Sequence, residues 1–189
     1  MKTGEEAFLN SGNDLRLLKF WQWAYSDLLN NTTRGILAEF LVQSALTTTS
    51  KPRAEWDRFD VLYRGVGIEV KSSAYIQSWA QEQASKIIFD IAPKKSYSSE
   101  SRKYSTEASR QADIYVFSLL DWQEIEGCNP LDLNQWTFFI LSTKTINSER
   151  HAQKSLSLSS LRDLKPIEAK YPSLKSSIDT IIDTHDQAV

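Results

Sequence analysis

The stretch Asp60 to Lys71, DVLYRGVGIEVK, decides how this chain is read. Phe59, Val61 and Tyr63 alternate with Asp60 and Leu62, and Ile68 and Val70 alternate with Glu69 and Lys71. Gly65 and Gly67 bracket a turn between the two runs, so the segment is predicted to be a β-hairpin. Alternate residues of a strand share a face. Glu69 and Lys71 therefore project together, Ile68 and Val70 turn into the core, and Asp60 on the first strand comes within reach of both.

Two carboxylates and an amine on one hairpin are the parts of a metal-dependent phosphodiester cleavage site. Hard divalent cations take oxygen ligands and keep several waters, so two carboxylates plus a substrate phosphate suit Mg2+ or Mn2+. An adjacent ammonium orients or helps to deprotonate the attacking water and offsets charge on the phosphate. The tripeptide alone is a weak signal: at average usage Glu-x-Lys arises by chance about once in a chain of this length. The chain carries its own controls, since Asp163-Leu164-Lys165 and Glu168-Ala169-Lys170 have the same spacing in a stretch that reads as helical or irregular. What sets Glu69 apart is the alternation, the glycine turn, the upstream Asp60 and an upstream helical glutamate, Glu39.

With these residues the sequence resembles the PD-(D/E)xK nuclease superfamily, whose motif maps onto Asp60, Glu69 and Lys71, with Phe59 where a proline often stands. The resemblance implies a restriction-endonuclease-like α/β fold, a central mixed sheet flanked by helices. It implies that Asp60, Glu69 and the Val70 carbonyl hold the metal and that Lys71 serves the nucleophile. Many members add a glutamate from a preceding helix, and RGILAEFLV supplies Glu39, acting on the metal through a water. In one branch a glutamine followed four residues later by tyrosine supports the site. Here Gln77 is followed by Gln81, which departs from that pattern and leaves Gln77 a supporting role.

Composition places the chain among single soluble domains, 1–189, with a core at about 34–145: of 189 residues 41% are hydrophobic and 24% charged. No run approaches the apolar length of a membrane span, and MKTGEEAFLN lacks a secretory apolar region, so a cytoplasmic protein without a membrane partner is expected. A single cysteine, Cys128, excludes an intrachain disulfide and a cysteine-based zinc site. His151 and His185 are too few for a histidine-rich metal centre and are read as surface residues.

A net charge of -2 does not mark a polyanion binder, so the distribution of cations matters more. Lys94, Lys95, Arg102, Lys103 and Arg110 fall in a Ser-rich stretch, PKKSYSSESRKYSTEASRQ, read as a long loop that runs along phosphates. Elsewhere, Asn13 is predicted to cap a first helix, and a second starts after Asn30 with Ile36, Leu37, Phe40 and Leu41 as its buried stripe and Glu39 at the margin. Ser72 and Ser73 are read as ending the hairpin, and Trp79 as packing on the core. Ile114 to Leu120 and Trp136 to Leu141 read as buried strands, Ser159 or Ser160 as a helix cap, and 173–184 as a last amphipathic helix.

The function expected is a metal-dependent deoxyribonuclease, an endonuclease of the restriction or repair kind. The sequence leaves two other readings open, a non-catalytic nucleic-acid-binding or assembly module and an RNA-processing nuclease. It also leaves homodimer assembly open.

Overall fold

In a computed structural model, residues 1–48, 52–53, 58–95, 97–98, 103–104 and 107–186 are described, without the side chains of 97–98, 103–104 and 185–186. The hairpin forms where the alternation placed it. Strand β1 (Val61–Tyr63) runs antiparallel to β2 (Val66–Ala74), with Val61 opposite Ile68. The two-residue turn is Arg64-Gly65, both at positive φ (52° and 80°), the conformation that matches strand twist in a tight hairpin. Gly67 is therefore a strand residue, not part of the turn. It has to be glycine for another reason, because a Cβ there would lie 2.5 Å from the Phe59 ring. The strand also outruns Ser72 and Ser73 and ends at Ala74.

β2 pairs in parallel with β6 (Ile114–Leu120), which pairs antiparallel with β7 (Trp136–Ser142), and β7 with β9 (Ile167–Ala169). The result is a five-stranded mixed sheet in the order β1-β2-β6-β7-β9, an α/β fold in one domain. Every residue of β6 is buried, which explains its unbroken apolar run: both faces of the central strand are covered.

One face carries Ile68, Val70, Ile114, Val116, Phe138 and Ile140 against helices α2 (Asn31–Ala45) and α5 (Leu174–Asp186). The other carries Tyr115, Phe117, Phe139 and Leu141 against a small sheet of β3 (Ile88–Asp90) and β8 (Ser155–Ser157), with Ile146 of α3 (Thr143–Glu149) and Leu161 of α4 (Leu158–Asp163) closing it. The side-chain oxygen of Ser118, in the middle of β6, is buried without a hydrogen-bond partner among the described residues.

The helices depart from the sequence reading in instructive ways. Helix α1 (Leu17–Tyr25) begins after Arg16 rather than Asn13, has no side-chain cap and buries none of its residues. Asn30 does cap α2, accepting from the Thr32 N–H. The buried face of α2 is Arg34, Ala38, Glu39, Leu41 and Val42, whereas Phe40 is 56% exposed. Ser157, not Ser159 or Ser160, caps α4 by accepting from the Ser160 N–H. Glu168 and Ala169 lie on a strand, contrary to the helical or irregular reading, but Glu168 faces Arg162 at 3.9 Å while the Lys170 ammonium donates to Trp136 and Thr137. No helix among the described residues is long and apolar enough to cross a membrane.

The Ser-rich stretch is not a plain loop. Lys94 bridges Ser109, and β4 (Tyr97–Ser98) pairs antiparallel with β5 (Lys103–Tyr104), so the segment doubles back as a β-arm. Arg102 lies outside the described residues, as does the Lys103 side chain.

Candidate active site

The site is built where β1 stops and β2 continues. The Asp60 N–H donates to the Ile68 carbonyl at 3.0 Å, the last rung of the backbone ladder. The next donor, the Val70 N–H, is taken at 2.7 Å by the Asp60 carboxylate instead of by a backbone carbonyl. Amide and carbonyl of one residue point to the same side of a strand, so the Val70 carbonyl also faces this edge, past the end of β1. Phe59, packed over Gly67, fixes the backbone that delivers Asp60.

Glu69 and Lys71 project from the face of β2 that carries Tyr115 and Phe117. Their side chains are 16% and 17% exposed and meet in an ion pair at 2.5 Å. Glu39 comes from α2 on the opposite face, 11% exposed, and is gripped by both arms of Arg53, Nε at 2.5 Å and Nη2 at 2.8 Å. Asp60 thus stands at the sheet edge between carboxylates from the two faces. Gln43, one turn further along α2, reaches the Asp60 carbonyl at 3.4 Å.

Burial, and then the charges of Glu69 and Glu39, push the Asp60 carboxyl from its ordinary 3.8 up to about 7, against the opposing pull of the Val70 N–H and Lys71. Burial alone would lower Lys71. Its bond to Glu69 and the charges of Glu69 and Asp60 outweigh burial and raise it, so it stays an ammonium. In this arrangement Lys71 is a cation and proton donor rather than a base.

Among the described residues no group of three or more His, Cys, Asp or Glu is placed to hold an ion. Glu39 already has a guanidinium partner. The available donors are therefore the carboxylates of Asp60 and Glu69 with the Val70 carbonyl, hard oxygens whose like charges repel each other at Asp60. That chemistry fits Mg2+ or Mn2+ completed by waters and a substrate phosphate, and does not fit an all-protein cage.

A cavity of about 30 Å3 opens beside the pair, lined by Glu69, Lys71, Tyr115, Arg58, Lys94 and Arg110 among others. Lys94 and Arg110 of the predicted phosphate-binding set thus come to the site, while Lys95 is exposed on the arm outside this lining. Arg110 is held by the Ile91, Arg150 and Gln153 carbonyls and by Asn147, all of them neutral. Gln77 lies elsewhere. It bonds Arg34 and the Ala74 carbonyl at the far end of β2, tying α2 to the sheet. Trp79 is 54% exposed rather than packed, and His151 is exposed. A larger cavity of about 360 Å3, between the end of β7, the α4–β9 turn and α5, is lined among the described residues by Lys144 and Lys165 and by no carboxylate.

Arg53, Arg58 and Tyr115 were not legible as site residues. Arg53 and Arg58 sit in no periodic pattern, and Tyr115 reads as one more apolar position of a buried strand.

The family model for bacteriophage T4 endonuclease IV matches residues 16–160, which takes in α1, α2, the hairpin, the β-arm and the whole of the site. The chain belongs to this family. It is a nuclease. No curated protein and no solved structure matches it.

Proposed function

We propose that this nuclease is a metal-dependent endonuclease of the PD-(D/E)xK kind that hydrolyses DNA phosphodiester bonds, of the restriction or repair type. The observation that carries this reading is the substitution of the Asp60 carboxylate for a ladder carbonyl at Val70, which sets an acidic group in the sheet edge beside Glu69 and Lys71. The family's description as an endonuclease supports it independently.

Asp60, Glu69 and the Val70 carbonyl would hold Mg2+ or Mn2+, which when bound supplies charge neutralisation to the phosphate and lowers the pKa of a water. Lys71 keeps its proton and donates to the nucleophile or to the phosphate, where charge grows as water attacks in line. Glu69 holds the Lys71 ammonium in place. Glu39, steadied by Arg53, adds negative charge on the α2 side, where it orders a water. Lys94 and Arg110 draw the polyanion to the mouth of the site.

Incubation with a closed circular DNA, its linear form and a structured RNA, with and without Mg2+ or Mn2+, tests the reading. Cutting of the DNA circle only in the presence of the ion is expected. Preference for the RNA, or attack confined to the ends of linear DNA, would overturn the substrate or the endonucleolytic part.

A further inference from the structure

Tyr115 is opposite Glu69 in the parallel β2–β6 register, on the same face of the sheet. Its residue is only 4% exposed, yet its side chain lines the cavity that Glu69 and Lys71 share. Nothing among the described residues donates to or accepts from its hydroxyl, and the one buried polar side-chain atom without a partner is elsewhere, at Ser118. A buried tyrosine ordinarily finds a partner for its hydroxyl, so one that opens unpartnered into a polar cavity is poised for a ligand.

The surroundings state the ligand's charge. Arg58, Lys71, Lys94 and Arg110 line the cavity against one lining acid, Glu69, whose charge Lys71 already offsets, while Asp90, outside the lining, meets Lys94 at 3.9 Å between exposed side chains, a contact that solvent screens. Arg110 is fixed by neutral acceptors, and so keeps an uncompensated charge there. The volume, about 30 Å3, has room for one or two water-sized atoms and not for a whole phosphate group.

We infer that this cavity is a phosphate-oxygen subsite, in which the Tyr115 hydroxyl donates to one non-bridging oxygen of a nucleic-acid backbone phosphate seated at the mouth between Lys94 and Arg110. The subsite rests on the proposed function for its substrate. It adds a residue that holds the strand against the reacting centre without taking part in the reaction. Because phosphates are common to all sequences, it contributes affinity and register rather than base preference.

Tyr115→Phe removes the oxygen and keeps the ring. Since the hydroxyl has no partner among the described residues, the melting temperature of the free protein should be unchanged. Affinity for duplex DNA, measured in Ca2+ so that cleavage does not intervene, should fall about tenfold, equally for unrelated sequences. Phosphorothioate substitution supplies a chemical counterpart. Sulfur at one diastereotopic position of a single phosphate should weaken wild-type binding and leave Tyr115→Phe insensitive, the non-additivity expected of two groups in contact. Unchanged affinity in Tyr115→Phe, equal thio effects in both proteins, or wild-type protein that binds no DNA would overturn the subsite. The two readings fail separately. A wild-type protein that binds through Tyr115 and does not cleave would retain the subsite and remove the catalytic reading, whereas cleavage with a fully competent Tyr115→Phe would do the reverse.

Discussion

The Asp60 carboxylate accepts the Val70 N–H at 2.7 Å, so that a side chain completes a strand ladder which the backbone of β1 has abandoned. The bond fixes the carboxylate in the plane of the sheet, where neither face alone could present it. Its position there costs stability, because burial beside Glu69 and Glu39 disfavours the charged carboxylate more than the Val70 N–H favours it.

The sign of that cost can be worked out. With its carboxyl at about 7 in the folded protein against 3.8 ordinarily, Asp60 holds its proton more tightly folded than unfolded. In the metal-free protein Asp60's own contribution to stability should therefore be fully present below the unfolded value and be lost as pH rises through about 7. Asp60→Asn, which can still accept from Val70, should raise the melting temperature at pH 8 by an amount reflecting a few kcal/mol, and change it little at pH 4. Thermal melts in EDTA across that range check this. A variant stabilised equally at both pH values would show that charge at Asp60 is not the cause.

Protons and cations compete for the same carboxylate. Mg2+ or Mn2+ affinity, measured by calorimetry, should rise steeply as pH passes through 7 in wild type. In Asp60→Asn it should be weak and nearly flat with pH.

Lys71 makes its main contribution as a charge. Lys71→Ala should lower kcat about 10²- to 10³-fold while largely sparing metal affinity, whereas Lys71→Arg should recover part of the loss. Rates and calorimetry on the same preparations separate the two effects. Loss of metal binding in Lys71→Ala would place the lysine's role in holding Glu69 instead.

Gly67 faces the Phe59 ring so closely that Gly67→Ala must displace it, at a cost of about 1–3 kcal/mol. Because Phe59 adjoins Asp60, activity should fall as well. Phe59→Ala in the same molecule should relieve much of the added cost of the alanine, which a double-mutant cycle by denaturant unfolding measures.

The arm's role in binding can be read from salt. Neutralising Lys94 and Lys95 together should weaken DNA binding similarly for unrelated sequences and flatten the slope of log affinity against log salt by about 1.8, or about 0.9 for each lost phosphate contact. An unchanged slope would remove the arm from the interface.

What the sequence disclosed was what local periodicity encodes. The hairpin was legible because alternation, turn residues and Asp60 all fall within one short stretch. Glu39 was placed on the right helix, and the stripe was right in part: Leu41 is buried and Leu37 packs on the core, but apolar bulk also pointed to the exposed Phe40, while the packed face is completed by Ala38, Val42 and the buried Arg34. Residues joined to the site only by tertiary pairing left no such trace. Tyr115 reaches Glu69 through a parallel strand far along the chain, and Arg53 reaches Glu39 from outside any regular element. The arm escaped notice because a Ser-rich stretch carries no apolar alternation to announce its strands.

The central claim is that Asp60, Glu69 and Lys71 form a cation-dependent cleavage site, and covalently closed circular DNA tests it most directly. Wild-type protein in Mg2+ should convert circles to nicked or linear forms, EDTA should stop the conversion, and Glu69→Gln, folded as judged by its melt, should lose at least about 100-fold in rate. Conversion that persists in EDTA, or at the wild-type rate in Glu69→Gln, would contradict the account.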